Sequence, residues 1–183
     1  MSFAAVFVRL ADGAMGPMAL AAWRMTLAAS VLFALARLGG ASLRLPPLRL
    51  AFAAAAGLIF ALDLFLWHRS ILLVGAGLAT VLASTQIFWS TAADRSRGWG
   101  PVALAFAGVA LASGAGVTTI SWWGVALGLG AGVAYGVYLV VLKRAGSGSM
   151  SDSMAMLAWV CLFGGAALFA TCGIEGARVA PSS

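Results

Sequence analysis

Asp63 and Gln86 stand inside strongly apolar runs, in the stretch from Leu62 to Phe88. A carboxylate in hydrocarbon is costly unless it is paired, protonated or facing water, and a buried amide must find hydrogen bonds. Three kinds of chemistry therefore come into question for them: holding a proton, holding a polar solute, or tying one helix to the next. For Asp63 the choice lies between a cavity-lining proton or substrate site and a carboxyl satisfied by a neighbouring helix. Helical spacing puts Ala56, Phe60 and Trp67 on its face, so Trp67 would line the same cavity. Gln86 shares a face with Ala79, Leu82 and Ser90, and either binds a solute or bridges helices. Thr85, with Thr80 and Ser84, is of a type that often bonds its own helix backbone.

Further candidates are of the same polar-in-apolar kind. Arg24 lies a turn or two inside an apolar run, where snorkelling to the interface competes with binding a substrate anion. His68, the single histidine, sits between Trp67 and Arg69, which suits an aromatic and basic interfacial belt as well as a proton relay. Tyr135 and Tyr138 would face either a cavity or a packed core with their hydroxyls satisfied. Beside them Gly124, Gly128, Gly132 and Gly136 recur every four residues, a stripe that lets another helix approach closely.

Enzyme chemistry finds no foothold in this set, and no catalytic, metal or cofactor residues are expected. One histidine makes no metal cluster, no Gly-x-Ser-x-Gly elbow is present, and Asp63 has no second carboxylate nearby. A Gly-rich phosphate loop is also missing, which argues against a nucleotide-driven pump. Cys161 and Cys172, eleven residues apart in one run, would lie about 16 Å apart on a helix, too far for a disulfide.

The elements that hold these residues are predicted to be membrane-spanning helices. Apolar residues make up 63% of the chain and charged ones 9%, against about half and about a quarter in soluble domains. The runs approach the roughly 20 residues that cross the hydrocarbon as a helix, and none alternates as a membrane barrel strand does. In chain order they are Phe3 to Ala11, Met18 to Ala36, Leu50 to about His68, Gly75 to Ala93, Pro101 to Val117, Trp122 to Leu142, and Met154 to about Gly173. The first is too short to span and reads as the end of a truncated helix. The expectation is thus an all-α polytopic protein of about six full transmembrane helices plus that remnant.

A net charge of +6 would suit nucleic acid in a soluble chain, but no basic stripe or aromatic interleaving supports such a partner. The basic residues report topology instead. Arg37, Arg44, Arg49, Arg95, Arg97, Lys143 and Arg144 follow the second, fourth and sixth runs, whereas Arg9, Arg24, Arg69 and Arg178 fall to the other side. That asymmetry places the Arg44 loop in the cytoplasm and the tail after Gly173 outside.

Sliding the chain by 136 positions lays Met18 to Trp23 on Met154 to Trp159, and Leu32-Phe33-Ala34 on Leu168-Phe169-Ala170. Five spans in the first copy force the second to enter the membrane upside down, and inverted repeats are a transporter signature. The repeat would divide the chain into residues 1–118 and residues 122–183, the latter holding only the first two helices of a second copy.

These residues together resemble the drug/metabolite transporter superfamily in its EamA-like branch, carriers of two inverted five-helix repeats. The resemblance rests on Phe3 to Leu10, on Pro17 with Ala22-Trp23-Arg24-Met25, on Leu62 to Ser70, and on Ala76 to Phe88. Trp89 to Arg95 departs from the family by bringing the polar turn about half a dozen residues early, which predicts a shortened fourth helix. What the resemblance implies is a multi-pass carrier in a bacterial inner membrane. It would move small organic metabolites or drugs, with proton coupling at Asp63 as the attached hypothesis. Its partners would be the lipid bilayer and a small-molecule substrate, with a homodimer compatible. The alternative is a non-transporting membrane scaffold or an inactive truncated carrier.

Overall fold

The structure is a computed structural model that describes residues 17–88, 121–146 and 149–175, with the isolated helical positions 100, 103, 104, 107 and 111 between them. Helix α1 spans Pro17–Leu38, α2 Pro47–Val74, α3 Ala76–Ala83, α4 Trp122–Arg144 and α5 Met150–Glu175. Four of them, all but α3, are long and apolar enough to cross a membrane, and no strand occurs among the described residues. The chain is a helical, multi-pass membrane protein by length and composition. The remnant at Phe3 to Ala11 and most of the Pro101 to Val117 run lie outside the described residues, and the Gly75 to Ala93 run is seen only as a short helix, so four of the expected six full spans are described as such.

Local sequence sets the helix ends. Proline opens α1 and α2 at the position where a missing N–H costs nothing. Past Leu38 the chain turns at Gly40, whose φ is +76°. Gly40 N donates to Arg37 O (3.1 Å) and Ala41 N to Ala36 O (2.9 Å), the paired bonds of a Schellman ending. Ser121 caps α4 through Gly124 N (3.4 Å). Ser149 and Asp152 cap α5 reciprocally: Asp152 N donates to Ser149 Oγ at 3.2 Å, and Ser149 N to Asp152 Oδ2 at 3.1 Å.

Two expected boundaries are corrected. Span three was expected to end near His68, yet α2 runs on to Val74, because no helix-breaking residue stands between His68 and Gly75. Gly75, at φ +82°, then makes the whole turn, with α3 starting at Ala76. The run from Gly75 to Ala93 was expected to be one span, but it stops at Ala83, turns at Ser84 and Thr85, and resumes helically over 86–88. At the break the hydroxyls bond the backbone: Ser84 Oγ donates to Thr80 O (2.7 Å) and Thr85 Oγ1 to Leu82 O (2.6 Å). The following amides tighten to the third carbonyl back, Ile87 N to Ser84 O and Phe88 N to Thr85 O.

The helices pack as two units, one of Met1–Ala61 with Ala145–Ser183, the other Leu62–Arg144, so α2 is shared between them. These units do not follow the division at residues 118 and 122. Packing groups contacts, whereas a repeat relates segments, and neither decides the other.

In the first unit α1 and α5 pack antiparallel. Ser151 Oγ donates to Gly39 O (3.0 Å), Phe33 meets Trp159 edge-on (5.4 Å, 89°), and Trp23 meets Phe169 edge-on (5.6 Å, 88°). The shift of 136 positions that lays Trp23 on Trp159 also lays Phe33 on Phe169, so it turns one ring pair into the other. The same shift superposes four positions buried on both helices: Ala19 on Ala155, Ala22 on Ala158, Ala29 on Gly165, and Ala36 on Cys172. Each ring pair adds about 1 kcal/mol beyond its buried area.

The first half of α2 lies against α5 at Gly57, where a Cβ would stand 2.6 Å from Val160 O and 2.9 Å from Gly164 N. Trp159 Nε1 also donates to Leu43 O (3.0 Å), tying α5 to the loop before α2. Trp159→Phe keeps a ring against Phe33 and removes this donor. It should cost about 1 kcal/mol, read as a shift in an unfolding titration in mixed micelles.

In the second unit the glycine stripe is a packing surface. Gly124 faces Leu73 and Val74, Gly128 faces Ser70 and Leu82, and Gly132 faces Leu82, Ala83 and Thr85. Thus α4 runs antiparallel to the second half of α2 and crosses the α3 segment at its break. All four glycines of the stripe are buried.

Candidate functional site

Asp63 lies close to the midpoint of α2 and is 8% exposed. Its helix face is the inward one: Ala56 is fully buried and Phe60 and Trp67 are half-buried, whereas Leu58 and Leu62 on other faces are exposed. Among the described residues, no hydrogen bond or ion pair is seen at its carboxyl. The residue that feels it is Tyr135 on α4, close enough for an electrostatic interaction. Tyr135 is itself half-buried, with its ring 5.4 Å from that of Tyr138.

Helix α4 explains how these groups meet. Its stripe brings Gly124, Gly128 and Gly132 onto α2 and α3 in turn, and Tyr135 follows Gly132 by one turn. Thr85 packs against Gly132, so Asp63, Tyr135 and Thr85 are gathered around two adjacent turns of α4. Gln86 follows Thr85 in the chain and is half-buried just beyond the break. Thr85 spends its proton on Leu82 O, which leaves its oxygen lone pairs as its only free capacity.

The other candidates have contacts of their own. Trp67 is one turn along from Asp63 and meets the His68 ring edge-on at 5.2 Å. The His68 Nδ1 lies 2.7 Å from Leu64 O, a geometry in which the ring nitrogen donates. Arg69 places its guanidinium 5.4 Å from the Phe65 ring centre, using its charge along its own helix. Arg24 belongs to the first unit and lies exposed on α1.

One residue of this face was not singled out from sequence. Ser70, fully buried, donates its Oγ to Gly124 O at 2.8 Å and ties α2 to α4. The signal was present, since Ser70 is seven residues after Asp63 and so on the same face. Ending the third run near His68 left Ser70 off it.

Chemically, the cluster offers one carboxyl, one phenol and one hydroxyl lone-pair acceptor on neighbouring turns of α2, α3 and α4. Such a set is of the kind that can exchange a proton or accept a hydrogen bond, and it contains no nucleophile-and-base pair. No group of three or more His, Cys, Asp or Glu side chains converges among the described residues, and Cys161 and Cys172 are both free thiols. Comparison with known proteins adds no constraint to this geometry, for no family model, no curated protein and no solved structure matches the chain.

Proposed function

We propose that the chain is a secondary carrier of the EamA-like type in the drug/metabolite transporter superfamily, or a piece of such a carrier. It moves small organic solutes across a bacterial inner membrane and couples that movement to protons at Asp63. The observation that carries this reading is a buried carboxyl at the middle of a membrane-length helix, with no hydrogen-bond or ion-pair partner among the described residues. An ionisable group kept at that depth without a structural partner is costly, and function is the usual return for it.

The packing of α1 on α5 supports an inverted repeat. Two helices related by a shift along the sequence run antiparallel, and the shift exchanges their two ring pairs. That is what a two-fold axis lying in the membrane plane would produce, and such axes relate the halves of many carriers. In this reading α1 and α5 are equivalent helices of two copies, residues 1–118 and 122–183.

Flux tests the proposal directly. Purified chain reconstituted into liposomes with an imposed pH gradient should accumulate at least one member of a panel of small organic cations, amino acids and drugs above protein-free liposomes. Absence of gradient-driven uptake for the whole panel, with the protein shown to be inserted and folded, would leave the scaffold or inactive-carrier reading in its place.

A further inference from the structure

We propose that α4 carries a binding site for one anionic phospholipid, its phosphate held by Arg144 and Lys143 and one acyl chain laid along Val140, Val137 and Val133. The site belongs to the surface of α4 and is independent of transport and of the repeat.

The argument starts from a gap in that surface. An open, apolar hollow of about 250 Å³ is lined, among the described residues, by Val133, Gly136, Val137 and Val140. Gly136 contributes no side chain, while Val133 and Val137 are 41% and 46% exposed, so the hollow opens between valine side chains. Helical spacing then sets what stands at its end. Arg144 follows Val140 by four residues, Val137 by seven and Val133 by eleven, and Lys143 follows Gly136 by seven, so both cations share the face of the hollow. Both are exposed and occupy the last turn of α4.

Depth in the bilayer matches this order. Trp122 and Trp123, both strongly exposed, stand at the opposite end of α4, and tryptophan is enriched at the membrane interface. The 23 residues of the helix rise about 34 Å against roughly 30 Å of hydrocarbon, so its last turn reaches the other headgroup layer. From Arg144 back to Val133 the rise is about 16 Å, close to the roughly 15 Å of hydrocarbon in one leaflet. A lipid whose phosphate sits beside Arg144 therefore has its own chain at the depth of the hollow.

Charge decides between occupants. A second copy of this chain would bring like charge to the face, since eleven basic residues outnumber five acidic ones. Free phosphate would satisfy the cations and leave the hollow unfilled. An anionic phospholipid supplies both parts, and its phosphate accepts the paired, charge-assisted hydrogen bonds that a guanidinium is shaped to give. In a zwitterionic lipid the headgroup cation offsets the attraction.

The probe is phosphatidylglycerol with a photoreactive diazirine in one acyl chain, added to full-length chain in phosphatidylcholine liposomes. Saturable labelling of residues 133–144 is expected, at least about fivefold above that by a phosphatidylcholine probe with the same diazirine. Arg144→Gln should weaken the labelling about fivefold. Val137→Trp, which fills the hollow from an exposed position and leaves both cations, should weaken it by a similar factor. Arg69→Gln removes an equal charge beside Ser70, which bonds Gly124 near the other end of α4, and should change nothing. Equal labelling by the two probes, indifference to Arg144→Gln or to Val137→Trp, or an equal loss in Arg69→Gln would each overturn the inference. So would displacement by free glycerol phosphate as effective as by phosphatidylglycerol, or a chain-to-chain crosslink from a benzophenone at position 137 in place of lipid labelling.

Discussion

Gly132→Leu should be the most damaging single substitution on α4, lowering stability by about 3 kcal/mol in an unfolding titration and dispersing the folded species on size exclusion. A Cβ at this position would meet the Thr85 hydroxyl oxygen, with Ala83 O at 3.1 Å and Leu82 O at 3.2 Å behind it. Two of these three are backbone atoms, so no rotamer change relieves the contact. The helices must part, or the α3 segment must shift at its break. Close backbone approach is also what the stripe contributes, because lipid tails are as apolar as leucine and leave van der Waals packing as the attraction between helices. Gly130 provides the contrast on the same helix. Its Cβ position has only Leu66 Cδ1 within reach, at 3.5 Å, an ordinary contact, so Gly130→Ala should change stability by less than about 0.5 kcal/mol. Equal losses at both positions would mean that helix propensity, and not the crossing, decides the outcome.

That contrast shows what kind of information the chain carried in one dimension. The glycine stripe was legible because 3.6-residue periodicity turns a spacing of four into a face, and a face of glycines has one packing use. Its partners were not legible. Leu73, Ser70, Leu82 and Thr85 come from two helices on either side of Gly75, and only the turn there decides which of their faces meet α4. The ends of α1 could be read from Pro17 and Gly39-Gly40 because such boundary signals are local. The end of α2 was misplaced near His68, because the segment from Arg69 to Val74 carries no breaker and continues the helix. The break after Ala83 depends on hydroxyls competing for carbonyls, a contest that residue types announce but do not settle.

The candidate site divides along the same line. The inward face of Asp63 followed from its neighbours at three, four and seven residues, whereas Tyr135 is brought to it across more than seventy residues by the α4 packing. No periodicity joins positions that far apart. Likewise the shift of 136 positions could be seen in the sequence, but the exchange of ring pairs it produces requires that α1 and α5 be antiparallel and at one depth.

Asp63→Asn should reduce pH-driven uptake in liposomes to the level of protein-free vesicles while leaving membrane insertion intact. Asparagine has nearly the shape of aspartate and no proton to exchange, so it separates the coupling role from the packing role. The direction of its effect on stability makes the test clean. Burying an amide costs less than burying a carboxylate, and the described residues give this carboxyl no ion-pair partner whose loss would offset the gain. The variant should therefore be at least as stable as the parent, and loss of uptake cannot be charged to misfolding. Exchange of solute without a gradient should survive, since it needs the binding groove and the helix motion but no net proton transfer. Tyr135→Phe completes the assignment by removing the hydroxyl that lies within electrostatic range of the carboxyl while keeping the ring packed against Tyr138. A shifted pH profile with uptake retained would make Tyr135 a positioning residue for Asp63. Unchanged pH-driven uptake in Asp63→Asn would take the carboxyl out of the mechanism and leave it as a tolerated cost of the fold.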